Sequence, residues 1–387
     1  MPDDGRERRA GQLLDAGERV TAIPVRAGRH VAALDVLRGI AAMIVLLGHC
    51  TLVYGLPVQA RQVLDIVLNQ RAAVLIFFVL SGYVLTYAWL RLREEPRALY
   101  RFYLRRFFRL MPALWAASAL ALVLLYAFPL GPDEGRFSQW MHDSYRQVGS
   151  ARAVRSFLAI DNAVVPPTWT ITIEILGSLL MPLLVAVISR RAALAWTAIC
   201  VLAAVTLLVA EWYSRISFLA FILQFACGTA LALSLEKREM RSHKLLAVAG
   251  LALLFLSRPL LWLAITGTLQ PIEYRVNAAL PALFETAGAV LLVAALASGR
   301  ADRTMLAARP MRALGGWSYG IYLIHFPVLR LAGYMLPPMP PIPATLVLAV
   351  VTVTITCLLA AFLYRFVETP GIALGKRLSL PPAGARA

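Results

Sequence analysis

Long apolar runs, interrupted at short intervals by polar residues, fill the chain from about residue 34 to residue 366. Each run is about 20 residues long, the length an α-helix needs to cross a hydrocarbon core about 30 Å thick. The pattern predicts ten such helices, over 34–55, 72–91, 109–130, 168–188, 192–212, 216–235, 244–264, 278–298, 314–334 and 343–366. The runs are continuous rather than alternating, which excludes a membrane β-barrel. The expected fold class is therefore an all-α integral membrane protein, a bundle of about ten transmembrane helices.

Most connections between runs are too short for more than a turn. Three segments are longer. Residues 92–108 are almost entirely basic and aromatic, and residues 131–167 carry Gly131, Pro132, Gly135, Pro166 and Pro167, which predicts loop mixed with short interfacial helix. The third follows Pro370. Residues 1–30 hold both charge signs and no apolar stretch, so they read as a flexible cytoplasmic tail rather than a cleaved leader. The expected organisation is a tail over 1–30, one membrane domain over 31–370 and a second cytoplasmic tail over 371–387. No internal repeat of the inverted-transporter kind is visible.

Composition agrees, with 60% hydrophobic and only 15% charged residues. The net charge of +17 raises nucleic acid as a partner, so the location of the charge has to decide. With a cytoplasmic N-terminus, 27 of the 38 Lys and Arg residues fall in inner segments and 8 in outer ones. That is the positive-inside pattern; it puts both termini in the cytoplasm after an even number of crossings. The partner of the charge is then the lipid bilayer and not nucleic acid. Cys50, Cys200, Cys227 and Cys357 lie in apolar runs without a CxxC pair, so no metal is expected.

Ionisable side chains at membrane depth are costly and usually face the bundle interior, which makes each a functional candidate. Arg38 and His49, both in the first run, are eleven residues apart, about three turns and about 16 Å, so they share one helix face. Glu174 lies about six residues into the fourth run, and counting from the outer surface gives it a depth close to that of His49. A carboxylate beside an imidazole fixes its tautomer and stabilises its cation, as a general base requires. His325 lies in "GWSYGIYLIHFP" with Ser318, Tyr319 and Tyr322 one and two turns below it. Each of these side chains has a structural alternative, because a lone membrane histidine also serves to hydrogen-bond a neighbouring helix and Arg38 could anchor the inner surface. In "RALYRFYLRRFFRLMP", Arg101, Arg105 and Arg109 fall on one helical face beside Arg106. This cluster suits either anionic headgroups or a phosphorylated cytosolic ligand.

Taken together the segments resemble the acyltransferase family 3 membrane proteins, which include bacterial polysaccharide O-acetyltransferases. "LDVLRGIAAMIVLLGH", "FFVLSGYVLT", "RRFFRLMP", "WTITIE", "SYGIYLIHFP" and "ETP" follow one another in the family's order across about 30–370. Thr170 and Ile171 depart conservatively from the family's W-S-L-x-x-E segment. The resemblance implies a bacterial inner-membrane enzyme that takes an acyl group, most simply acetyl, from acyl-CoA to a hydroxyl of a carbohydrate or small-molecule acceptor. It implies His49 as general base with Glu174 orienting it, Ser81, Tyr319 or Tyr322 at the oxyanion, and His325 as a further catalytic candidate. The same resemblance assigns Arg38, Arg101, Arg105, Arg106 and Arg109 to the CoA phosphates. A covalent acyl-enzyme on His49 or Ser81 is an open variant. The segment after Pro370 is too short for an SGNH-type domain, so the membrane unit is expected to act alone or hand over to a separate periplasmic partner. Two other classes compete: a proton-coupled transporter or flippase of an envelope glycan, and a lipid-linked-sugar glycosyltransferase, for which Asp65 alone offers an acidic residue in the first outer loop.

Overall fold

In the computed structural model the described residues are 31–128, 135–144, 148–190, 192–211, 220–235, 243–267, 276–297 and 308–380. The expected tail over 1–30 and the end of the second tail lie outside them. The described residues are helical throughout, with one isolated antiparallel bridge between Tyr54 and Phe137 and no strand. In chain order the helices are α1 (Ala32–Cys50), α2 (Val58–Val67), α3 (Gln70–Leu90), α4 (Ala98–Ala127), α5 (Gln139–Ser144), α6 (Ser150–Phe157), α7 (Trp169–Arg190), α8 (Ala192–Glu211), α9 (Ile222–Leu235), α10 (His243–Thr266), α11 (Val276–Ala297), α12 (Arg309–Met335), α13 (Pro341–Leu363) and α14 (Thr369–Leu378).

Among the described residues, seven helices are long and apolar enough to span a membrane, and α8 and α9 contain shorter apolar stretches. The long α12 is not among the seven. Its polar residues dilute the run, yet every residue from Ser318 to Arg330 is buried. A helix enclosed by other helices does not face lipid and needs no lipid-grade surface, so it can carry the polar side chains. It packs against α1, α4 and α13.

Glycines set the closest crossings. A Cβ on Gly39 would lie 2.8 Å from the backbone of Gly315, and one on Gly315 would lie 2.5 Å from the Asp35 carbonyl, so α1 and α12 meet backbone to backbone. Gly82 of α3 and Gly228 of α9 cross as closely, with the Phe225 and Val79 carbonyls occupying the space a side chain would take. Small residues at such crossings are the usual means by which membrane helices gain packing contact.

Neighbouring helices have defined directions. Gly39 meets Gly315, and ten residues later His49 meets His325, so α1 and α12 run parallel. Phe78 contacts Phe221 while Tyr87 bonds the Ala232 carbonyl, which makes α3 and α9 parallel. Phe78 with Trp169, and Thr86 with Met181, put α7 in that same direction.

One detail differs from the hydropathy reading. The third run is expected over 109–130, whereas α4 begins at Ala98 and continues through the basic segment to Ala127. Its arginines find carboxylate and hydroxyl partners inside the protein, which removes the need for a break at the apolar boundary. Between α4 and α7, the short helices α5 and α6 appear where loop and short helix are expected. Asp161, between α6 and α7, is held below the usual carboxylate range first by its hydrogen bond from Arg152, despite its partial burial.

A candidate active site

His49 lies in the last turn of α1 and His325 near the middle of α12. Their rings join Nδ1 of His49 to Nε2 of His325 at 3.1 Å, with an interplanar angle of 22°. His325 is completely buried and its Nδ1 lies 3.1 Å from the Ile321 carbonyl. Trp140 stacks on His49 at a centroid distance of 5.5 Å, and Phe326 meets both Trp140 and His49 edge-on. The segment bearing Trp140 is pinned to the end of α1: Ser138 donates its backbone N–H to the Val53 carbonyl at 2.9 Å and its hydroxyl to the Leu52 carbonyl. Arg136 donates to the Leu336 and Tyr334 carbonyls, both at 2.8 Å.

One turn of α12 below His325, Tyr322 touches the imidazole edge-on at 5.8 Å. Its hydroxyl bonds the Pro167 carbonyl at 3.2 Å and Thr170 Oγ1 at 3.0 Å. Tyr322 also lines an open cavity with about 610 Å³ of empty space, its mouth included. Arg38, Ser81, Arg106, Arg109, Glu174, Ser318 and Tyr319 share its wall with the apolar Val74, Phe77, Phe78, Leu110 and Ile171.

The cationic wall is held in place by specific partners. Arg106 pairs with Glu174 and donates from Nε to Ser178 Oγ at 3.1 Å, while Ser178 donates to the Glu174 carbonyl at 2.7 Å. Arg109 donates to Glu368 Oε2 at 2.6 Å and lies 5.4 Å from the centre of the Tyr319 ring. Glu368 is buried at the end of a single π-helical turn, Tyr364–Glu368. Such bulges often mark functional positions in helices. Among the described residues Arg38 pairs loosely with Asp35, at 3.8 Å. Among the described residues, no group of three or more His, Cys, Asp and Glu side chains is arranged to hold a metal ion.

A family model described as an acyltransferase domain, that of acyltransferase family 3, matches residues 31–361. The chain belongs to this family. The chain is also 25% identical to the peptidoglycan O-acetyltransferase OatA of Listeria monocytogenes, over 76% of this chain and 50% of the relative. It thus spans about half the length of that curated relative. No solved structure matches it significantly.

Most of the residues singled out from sequence fall into two groups. Arg38, Ser81, Arg106, Arg109, Glu174, Tyr319 and Tyr322 converge on the cavity, whereas His49 and His325 form the pair above it. The expected contact between Glu174 and His49 is absent; the partner of Glu174 is Arg106, and that of His49 is His325. The depth argument failed because the start of α7 is level with Tyr322 rather than with the histidine pair. The turn Pro166–Thr168 packs at the level of Tyr322, one turn of α12 from His325, and the start of α7 carries Glu174 about a further 9 Å along the helix from there.

Arg101 and Arg105 do not line the cavity. Arg101 pairs with Glu95, and Arg105 donates to Ser379 Oγ at 2.7 Å just beyond α14. Arg105 and Arg109 therefore meet the C-terminal segment, and the cavity takes the Arg106 and Arg109 edge. The hydroxyls of Tyr319 and Tyr322 are already committed to the Leu110 and Pro167 carbonyls, at 2.9 Å and 3.2 Å. Ser318 Oγ, buried in the same wall, has no hydrogen-bond partner among the described residues.

Sequence reasoning passed over Glu285. Arg258 grips it through Nε at 2.7 Å and Nη2 at 2.9 Å, and Asn69 Nδ2 adds a bond at 2.7 Å. A carboxylate inside an apolar run was the available signal. This network ties α10 and α11 to the start of α3, away from the cavity.

Proposed function

We propose that the protein is an O-acyltransferase of the bacterial cytoplasmic membrane, moving an acyl group from cytosolic acyl-CoA to a hydroxyl of a glycan or related acceptor. The observation that carries this reading is the vertical order along α12. A cavity walled by Arg38, Arg106 and Arg109 ends at Tyr322, and Tyr322 touches the ring hydrogen-bonded to His49. Guanidinium groups suit phosphate oxygens, and the apolar wall suits an acyl-pantetheine arm. Acetyl is the simplest acyl group, and the name of the peptidoglycan O-acetyltransferase relative supports a sugar hydroxyl as acceptor.

In this reading His49 accepts the proton of the acceptor hydroxyl as its oxygen bonds to the thioester carbonyl carbon. The tetrahedral intermediate collapses with cleavage of the C–S bond, and the leaving thiolate takes the proton back from the imidazolium. Ser318 and Ser81 are the hydroxyls left to donate to a ligand in the cavity, because both tyrosine hydroxyls are engaged. Ten crossings with cytoplasmic termini fit the parallel course of α1 and α12 and of α3, α7 and α9, as strict alternation requires.

The donor site is tested with Arg38→Ala, in purified protein supplied with acyl-CoA. The expected result is an apparent KM for acyl-CoA raised by about tenfold or more, in keeping with the loss of a charge-assisted contact. An unchanged KM removes Arg38 from the donor site.

A further inference from the structure

We infer that His325 is a positioning residue that holds His49 in the Nδ1–H tautomer, making Nε2 of His49 the basic nitrogen. The inference rests on the reading of His49 as base and adds which nitrogen acts and what fixes it.

The argument starts at the Ile321 carbonyl, which can only accept. Its contact with Nδ1 of His325 at 3.1 Å therefore places a proton on that nitrogen. Both rings lie where no carboxylate among the described residues pairs with them, and His325 has no exposed surface. A cation there would be uncompensated, so two neutral imidazoles are the resting state. Neutral His325 with Nδ1 protonated has a bare Nε2. That lone pair faces Nδ1 of His49 at 3.1 Å, so the proton between the rings belongs to His49. The 22° angle between the rings lets the N–H point nearly along the in-plane lone pair. Neutral His49 is then unprotonated at Nε2, the nitrogen turned away from His325.

The backbone enforces this geometry. The glycine contact between Gly39 and Gly315 fixes the axial register of α1 and α12, and ten residues along each helix, about 15 Å, the two imidazoles come level. Trp140 covers the His49 ring and limits its rotation. His325 thus occupies the place a carboxylate takes in a Ser-His-Asp triad, but as a neutral acceptor. When His49 takes up the hydroxyl proton at Nε2, its Nδ1–H still donates to His325, so no second proton has to move.

The test uses histidine ¹⁵N NMR on the detergent-solubilised full chain, whose five histidines are assigned by single substitution. In the wild type, His49 is expected to show a protonated Nδ1 and a bare Nε2. His325→Phe, which keeps a flat ring but offers no acceptor, should release His49 to a mixture of tautomers and lower turnover on the order of 10²-fold. His325→Gln, whose amide oxygen can accept, should retain the tautomer and recover most of that loss. A wild-type His49 protonated at Nε2, or a tautomer and pH profile unchanged in both variants, overturns the inference. Full activity of His49→Ala with the tautomer as described would overturn the base reading and leave the positioning geometry standing.

Discussion

Glu174 separates what a spacing rule can reach from what it cannot. Its carboxylate fixes Arg106 in the cavity wall and has no contact with the imidazole pair. Glu174→Gln should therefore loosen Arg106 and raise the apparent KM for acyl-CoA several-fold, leaving the pH dependence of turnover in place. Steady-state kinetics across pH would decide; a shifted pH profile at unchanged KM would return the carboxylate to the base. The common face of Arg38 and His49 was legible because both lie on one helix, where eleven residues dictate angle and rise. Glu174 was misjudged because its depth depends on a turn that hydropathy does not register. Glu368 was visible only within a short motif, since a π-helical turn re-aims it toward Arg109. The pairing of the two histidines required knowing that α1 and α12 are neighbours, and no local pattern contains that.

At the scale of elements, the glycine crossings give the bundle its register. Gly82, inside the "FFVLSGYVLT" segment, lies against the backbone of Phe225, and Gly228 lies against Val79. A side chain at Gly82 must push α3 and α9 apart, so Gly82→Leu should destabilise the protein by about 1–3 kcal/mol or more. The check is the thermal unfolding midpoint in detergent, compared with an exposed control such as Val84→Leu. An unchanged midpoint for Gly82→Leu would mean that the crossing carries no strain. The apolar runs forecast where nearly all long helices lie, because burial in lipid demands length and apolarity together. They placed the start of α4 too late, as basic residues with internal partners do not end a helix. The enclosed α12 also shows that the most important helix of such a bundle can be among the less apolar.

The whole molecule arranges two chemistries along one axis, a cationic cavity below and an imidazole pair above, joined at Tyr322. This arrangement suits a donor and an acceptor that approach from opposite sides and never need to share a compartment. A carrier could use the same buried charges, but it would leave the thioester intact. The decisive measurement is release of free CoA thiol by purified protein given acetyl-CoA, with and without a glycan hydroxyl acceptor. The account predicts acceptor-dependent release by the wild type and a loss of about 10²–10⁴-fold in folded His49→Ala. Undiminished release by that variant, or acceptor movement without thiol release, would contradict it.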